Sequence, residues 1–350
     1  MVGCSDYPYL RLYSSLNPAT PIVHFTEMYL ASTYANSPTY RSQSITPRSL
    51  GPRTVIQFAA TSPETFLEAA LQAQKNGFGG VDLNLGCPQS RAREGGYGSY
   101  MAESWDLCLA VLSLAVDCDD LRIPVCVKIR IQEPKDGRTG GERTIQFVGL
   151  ISDLGVDMIT IHGRVRGTDD DRRFGAADLG VVKRCVEEVQ RRGGKTKVIS
   201  NGNVRGVGDV GRNLEYTGAD GIMVGEELLR KPDLFGRYAQ GLGEGGEEER
   251  KVKIVKAYLE MLEGLEGGEG MRLEDGSKSG KNGGMIRGVV DEGEEEFERM
   301  SVWWTNLEVV KSHFRWILAD RGDRGSKRNF AKTKKVLDVI KGVKKRFGLA

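Results

Sequence analysis

The 350-residue chain reads as an α/β protein, a (β/α)8 barrel of parallel strands with a helical domain at its C-terminal end. Three observations predict this. Short apolar, β-rich runs alternate with longer stretches of helical period, the pattern of βα units around a parallel sheet. The length accommodates one barrel of about 250 residues and a smaller attachment. The apolar run 81–85 breaks at Gly86-Cys87-Pro88, which leaves a thiol at a strand end, where such barrels keep their reactive groups.

Seven strands are expected at 21–26, 54–58, 80–85, 124–130, 157–162, 197–202 and 220–225. Closing eight requires one more, and its place is ahead of Met1, so the first barrel strand is expected to be truncated. Between the strands, 63–76, 104–116, 143–154, 177–191 and 207–217 carry helical spacing, as in Leu67, Ala70, Leu71 and Gln74. Gly77, Gly155 and Gly218 follow three of them, where a left-handed cap is expected. Residues 1–240 thus form the barrel. Residues 241–300 are expected to be a flexible insertion, because 264–293 holds ten glycines among Glu, Lys and Ser. Helical spacing resumes across 301–350 with Leu307, Val310, Phe314, Ile317 and Leu318, then Val336, Ile340, Val343 and Phe347. This last segment is basic, with thirteen Lys or Arg against three Asp from Lys311 to Phe347.

A net charge of +2 says nothing in favour of nucleic acid for the chain as a whole, so an RNA-binding surface must come from uneven distribution. The six cysteines show no zinc spacing and read as free thiols of a reducing compartment, so no metal site is expected. No apolar run approaches the roughly 20 residues that span a bilayer. A soluble intracellular protein is expected, with no membrane partner.

Five strand ends hold residues that packing alone does not explain. Gly86 and Pro88 impose a turn on Cys87, although a free cysteine by itself is usually a small hydrophobe. Asn84 lies two residues after Asp82 on the same strand. Lys128 interrupts the apolar strand Val125-Cys126-Val127-Lys128-Ile129, and burying an ammonium is costly unless an anion compensates. His162 ends the next strand and Arg164 follows it; His24 and His313 lack such company and read as structural. Asn201-Gly202-Asn203 and Gly225-Glu226 end the last two strands, where barrels bind phosphate through backbone N–H groups, although tight turns also select Asn and Gly.

The run Val81 to Gln89, followed by Ala92-Arg93, Gly95 and Tyr97-Gly98, resembles the active-site loop of the tRNA-dihydrouridine synthases, most of all the eukaryotic members that reduce uridines 16 and 17 of the tRNA D-loop. The resemblance extends through Val127 to Arg130, His162 to Arg164 and Asn201 to Asn203. It implies an FMN-dependent enzyme that uses NADPH or NADH to reduce uridine to 5,6-dihydrouridine. Hydride would pass from FMN N5 to uracil C6 while Cys87 gives a proton to C5; a thiol stays protonated near neutral pH yet can release its proton. By the same resemblance Met1, Gln57, Lys128, His162, Asn201, Gly202, Asn203, Gly225 and Glu226 would bind the flavin, and Asn84, Arg93 and Arg164 the substrate. The basic 301–350 segment would hold tRNA. A monomer acting in the cytoplasm or nucleus is expected. Two other readings stay open: a flavin-dependent oxidoreductase of a free small molecule, and a tRNA-binding barrel with impaired catalysis.

Overall fold

The computed structural model describes residues 5, 7–42, 53–167, 175–268, 313, 314, 317 and 343–345. The elements run α1 (Tyr7–Leu16), β1 (His24–Leu30), α2 (Ala31–Asn36), α3 (Pro38–Ser42), β2 (Thr54–Ala59), α4 (Pro63–Lys75), β3 (Gly80–Leu85), α5 (Ser90–Glu94), a short 3-10 turn (Met101–Glu103), α6 (Trp105–Val116), β4 (Val125–Arg130), α7 (Gly140–Asp153), β5 (Met158–His162), α8 (Leu179–Arg191), β6 (Lys197–Asn201), α9 (Val207–Thr217), β7 (Gly221–Met223), α10 (Glu226–Arg230), α11 (Leu234–Ala239) and α12 (Glu247–Gly268). The seven strands form one sheet, every neighbouring pair parallel and in sequential order from β1 to β7. Sequential order with all crossovers on one face is the winding of a (β/α)8 barrel, not of a doubly wound sheet, whose order reverses.

The core shows which face the helices cover. Ile56, Phe58, Val81, Leu83, Leu85, Val125, Val127, Ile129, Ile159, Ile161 and Val198 are buried together with Phe66, Ala70, Leu112, Phe147, Val182 and Val186 of the helices. Because strand side chains alternate between faces, Gln57, Asp82, Asn84, Lys128, Arg130, Thr160 and His162 point the other way, into the barrel. That alternation separates an apolar layer outside the sheet from a polar one inside it.

Local chemistry sets the helix boundaries. Ser62 caps α4, with Pro63 in its first turn, and Asp178 caps α8. Thr139 and Glu142 form a capping box that starts α7 at Gly140, three residues before the expected 143. Gly77, Gly155 and Gly218 all adopt positive φ, as expected of left-handed caps. Two strand expectations are corrected. β1 runs on to Leu30, held by pairing to β2 across an irregularity between Phe25 and Met28, and β7 is only Gly221–Met223, since it meets no more than Ile199–Asn201 of β6.

Two compact units are distinguished: Met1–Val2, Ala19–Glu227 and Leu234–Gly243 form one, Gly3–Pro18, Leu228–Asp233 and Glu244–Ala350 the other. Within the second, α12 corrects the expectation of a flexible stretch over 247–268. Its Ile254, Val255, Tyr258, Leu259 and Leu262 are buried at helical spacing, a stripe that the Glu- and Gly-rich composition concealed. Tyr258 Oη and His313 Nδ1 share a 2.5 Å hydrogen bond, and the His313 ring lies 4.7 Å from that of Tyr9 in α1. Residues 269–300 of the expected insertion, and all of 301–350 except 313, 314, 317 and 343–345, lie outside the described residues.

Candidate functional site

Strand register gathers the interior residues into rows. Gln57, Asp82, Cys126 and Met158 are successive neighbours in one row; Asn84, Lys128 and Thr160 in the next; Arg130, His162, Asn201 and Met223 in the row at the strand ends. Neighbouring strands lie about 4.8 Å apart, so Gln57, Asn84, Lys128, His162 and Asn201, far apart in sequence, share one polar floor.

Cys87 stands just beyond β3 on a turn fastened from several directions. Its backbone N–H and that of Gly86 both donate to Asn84 Oδ1, at 2.9 and 3.0 Å. Its carbonyl accepts from Ser99 N at 3.0 Å and Ser99 Oγ at 2.9 Å. Gly98 closes that return at φ +65°, and a Cβ there would lie 2.7 Å from the Cys87 carbonyl oxygen, so only glycine fits. Arg130 Nε donates to the Gly86 carbonyl at 2.8 Å. The backbone of the turn is pinned while the Cys87 side chain stays partly exposed.

Cations outnumber carboxylates around this turn. Burial lowers Lys128 to about 8, with Arg130 adding to the shift and Asp82 and Cys87 opposing it. Burial lowers Arg130 to about 10, with Arg164 beside it. His162 is pushed far below its ordinary value by burial and then by Lys128, Arg130 and Arg164, so the imidazole is neutral at physiological pH. Arg164 Nη1 lies 3.0 Å from His162 Nε2. A guanidinium only donates, so Nε2 accepts and the ring proton sits on Nδ1. Asp82, fully buried, is raised to about 7 by burial, opposed by its hydrogen bond from Gln57 and by Lys128.

The ends of β6 and β7 are tied to each other and to the loop before α8. Asn201 Nδ2 donates to the Met223 carbonyl at 2.7 Å. Asn203, at φ +59°, accepts from Ala177 N and donates to the Ala177 carbonyl, both at 2.8 Å, and accepts from Arg164 Nη2 at 3.1 Å. Gly202 adopts φ +125°, and a Cβ on it would come within 2.7 Å of Ala177 Cβ. Gly225 precedes α10, which Glu226 begins. Arg93 is exposed on α5, next to the Cys87 turn. Met1 lies outside the described residues.

Sequence reasoning did not single out Asp82, Arg130 or Ser99. The signal for the first two was alternation: Asp82 shares a face with Asn84, and Arg130 with Lys128. Ser99 had none, because its partner lies twelve residues away. A groove of about 620 Å3 lined by Leu179, Asn203, Arg212, Asn213 and Tyr216 lies beside α8 and α9 and includes none of the residues around Cys87.

The family described as dihydrouridine synthase (Dus) matches residues 1–271. The NAD(P)(+) tRNA-dihydrouridine(16/17) synthase of Saccharomyces cerevisiae is 30% identical over 259 residues, 72% of this chain and 56% of that protein. The corresponding synthase-like protein of Rattus norvegicus is 35% identical over 181 residues, 52% of this chain and 38% of that protein. The chain thus spans about half the length, or less, of these relatives. Among solved structures, histamine dehydrogenase from Rhizobium sp. 4-9 superposes with a TM-score of 0.51 at 14% identity, over 74% of this chain and 47% of that one, a likeness of fold alone.

Proposed function

The chain belongs to the dihydrouridine synthase family, and from that premise we propose that it reduces uridine to 5,6-dihydrouridine in tRNA, at D-loop positions 16 and 17, with FMN as cofactor and NADPH or NADH as reductant. The observation that carries this reading is the cluster of Lys128, Arg130 and Arg164 around the neutral His162, next to the pinned Cys87 turn. Such a cluster calls for an anion, and reduced flavin is one. The residues present fit it: a desolvated Lys128 to face negative charge and an Nδ1–H on His162 to donate. When bound, reduced FMN supplies the hydride that uracil C6 receives.

The chain's own residues do the rest. Lys128 balances charge that water would otherwise have to solvate. Gln57, Asn201, Gly202, Asn203, Gly225 and Glu226 complete the flavin-facing floor; the side-chain amides of Asn201 and Asn203 are already bonded to backbone, so a phosphate would be met by backbone N–H groups of these turns. Asn84, Arg93 and Arg164 meet the substrate, a uridine turned out of the tRNA fold. Cys87 gives its proton to C5, and the fixed backbone of its turn holds the sulfur at one face of the ring. The basic 301–350 segment holds RNA phosphates. We place the protein in the cytoplasm or nucleus, as a monomer; no described helix is long and apolar enough to cross a membrane.

Incubation with FMN, NADPH and unmodified tRNA, followed by position-resolved mapping of dihydrouridine, tests the reading. Product at uridines 16 and 17 is expected. Turnover of a free pyrimidine with no product in tRNA would favour a small-molecule oxidoreductase, and tRNA binding without flavin a non-catalytic barrel.

A further inference from the structure

We propose that Asp82 is a positioning residue for Cys87, acting through the side-chain amides of Gln57 and Asn84. The proposal rests on the reading of Cys87 as proton donor. Four hydrogen bonds carry it. The N–H groups of Gly86 and Cys87 donate to Asn84 Oδ1, Asn84 Nδ2 donates to Gln57 Oε1 at 2.7 Å, and Gln57 Nε2 donates to Asp82 Oδ2 at 2.7 Å.

The chain of bonds has only one possible direction. A backbone N–H can only donate, so the Asn84 atom facing the turn must be its oxygen. The amide nitrogen of Asn84 then faces Gln57, which must present its oxygen and turn its own nitrogen to Asp82. Asp82 is the terminal acceptor: the N–H groups of the turn orient Asn84 from one end, and Asp82 holds Gln57 from the other. Remove it and Gln57 Nε2 keeps a donor with nothing to receive it, so the Gln57 amide loses its fixed end and the Oε1 that braces Asn84 Nδ2 is free to shift, which loosens the support of the turn.

Packing does not account for a carboxylate at this place. Asp82 is fully buried and Oδ1 has no hydrogen-bond partner among the described residues. The groups facing it are Gln57 from β2, Cys126 and Lys128 from β4, and Asn84 on its own strand. An apolar side chain beside Cys126 and Met158 would avoid the desolvation cost that Asp82 bears. The carboxyl suits a terminal acceptor in both charge states: a proton on Oδ1 still leaves Oδ2 free to accept from Gln57.

Site-resolved alkylation of Cys87 with iodoacetamide, run beside dihydrouridine kinetics, separates this role from a merely structural one. In Asp82→Asn the side-chain oxygen still accepts from Gln57, so kcat and the Cys87 alkylation rate should stay within about threefold of the parent. Asp82→Ala should lower kcat about 10- to 100-fold, as expected for a small displacement of a reacting group, while KM for tRNA stays within about threefold. The alkylation rate of Cys87 should change in that variant. If Asp82→Ala does not fold, Gln57→Met cuts the same chain of bonds with Asp82 intact and should change alkylation in the same sense. Equal alkylation in all folded variants, or an Asp82→Asn variant as impaired as Asp82→Ala, would overturn the proposal. A parent protein that makes no dihydrouridine would sink the proposed function, whereas the alkylation series would still test the chain of hydrogen bonds.

Discussion

At the scale of single residues, the site is defined by charges that the fold shifts from their ordinary states. If Cys87 delivers the proton to C5, Cys87→Ala should slow dihydrouridine formation by roughly 10^2- to 10^4-fold, the usual contribution of a positioned acid, and leave the spectrum of bound flavin unchanged. Full activity in that variant would remove the thiol from the mechanism. Asp82 and Lys128 leave a separate trace in stability. Asp82 is raised from 3.8 to about 7, so between those values the folded state binds more protons than the unfolded one and stability falls as pH rises. Lys128 is lowered from 10.5 to about 8, so between 8 and 10.5 the unfolded state binds more protons and stability recovers. The two together predict a trough between about pH 7 and 8. Denaturant unfolding across pH should find Asp82→Asn gaining stability relative to the parent from about pH 4 to 7 and holding that gain above; parallel curves would show that Asp82 does not titrate in this range. The sequence marked Cys87, Asn84, Lys128 and His162 through the oddity of such residues at apolar strand ends. It did not reveal Asp82, because the state of a buried carboxylate depends on Gln57 and Lys128, which come from the strands on either side.

At the scale of elements, alternation and helical period made the βα units legible, and boundaries followed caps. α7 starts at Gly140 because Thr139 and Glu142 satisfy each other's donors and acceptors. Thr139→Ala should cost about 0.5–2 kcal/mol, read by chemical denaturation, without altering the reactivity of Cys87; no loss of stability would mean that the box adds nothing beyond what packing of Phe147, Val148 and Ile151 already secures. The short helices α2, α3, α5, α10 and α11 were missed, since five or six residues give too few turns for a period to show. α12 was missed for another reason: a narrow apolar stripe was averaged away by abundant Glu, Lys and Gly. β1 outran its expected end because a neighbouring strand, not its own composition, supplies its hydrogen bonds.

At the scale of the whole molecule, charge should govern partnership. The chain is nearly neutral overall, and its excess of Lys and Arg lies near the C-terminal end. If that segment grips RNA phosphates, tRNA affinity should fall linearly with the logarithm of salt concentration, and Lys344→Ala with Lys345→Ala should reduce the slope by about 0.7–0.9 for each phosphate these lysines neutralise. An unchanged slope would move the RNA-binding surface elsewhere, for instance toward the exposed Arg91 and Arg93 of α5. The sequence by itself determined the alternation of strands and helices, the parity that puts polar side chains inside the sheet, and the Gly86-Cys87-Pro88 turn, because each of these is written in neighbouring residues. Only the tertiary structure decided which polar atoms are already committed and which charges are suppressed: Asn84 to the Cys87 backbone, Asn203 to Ala177, a neutral His162, a weakened Lys128. Hydrogen-bond complement and desolvation are set by groups brought together from different strands, and no local pattern records them.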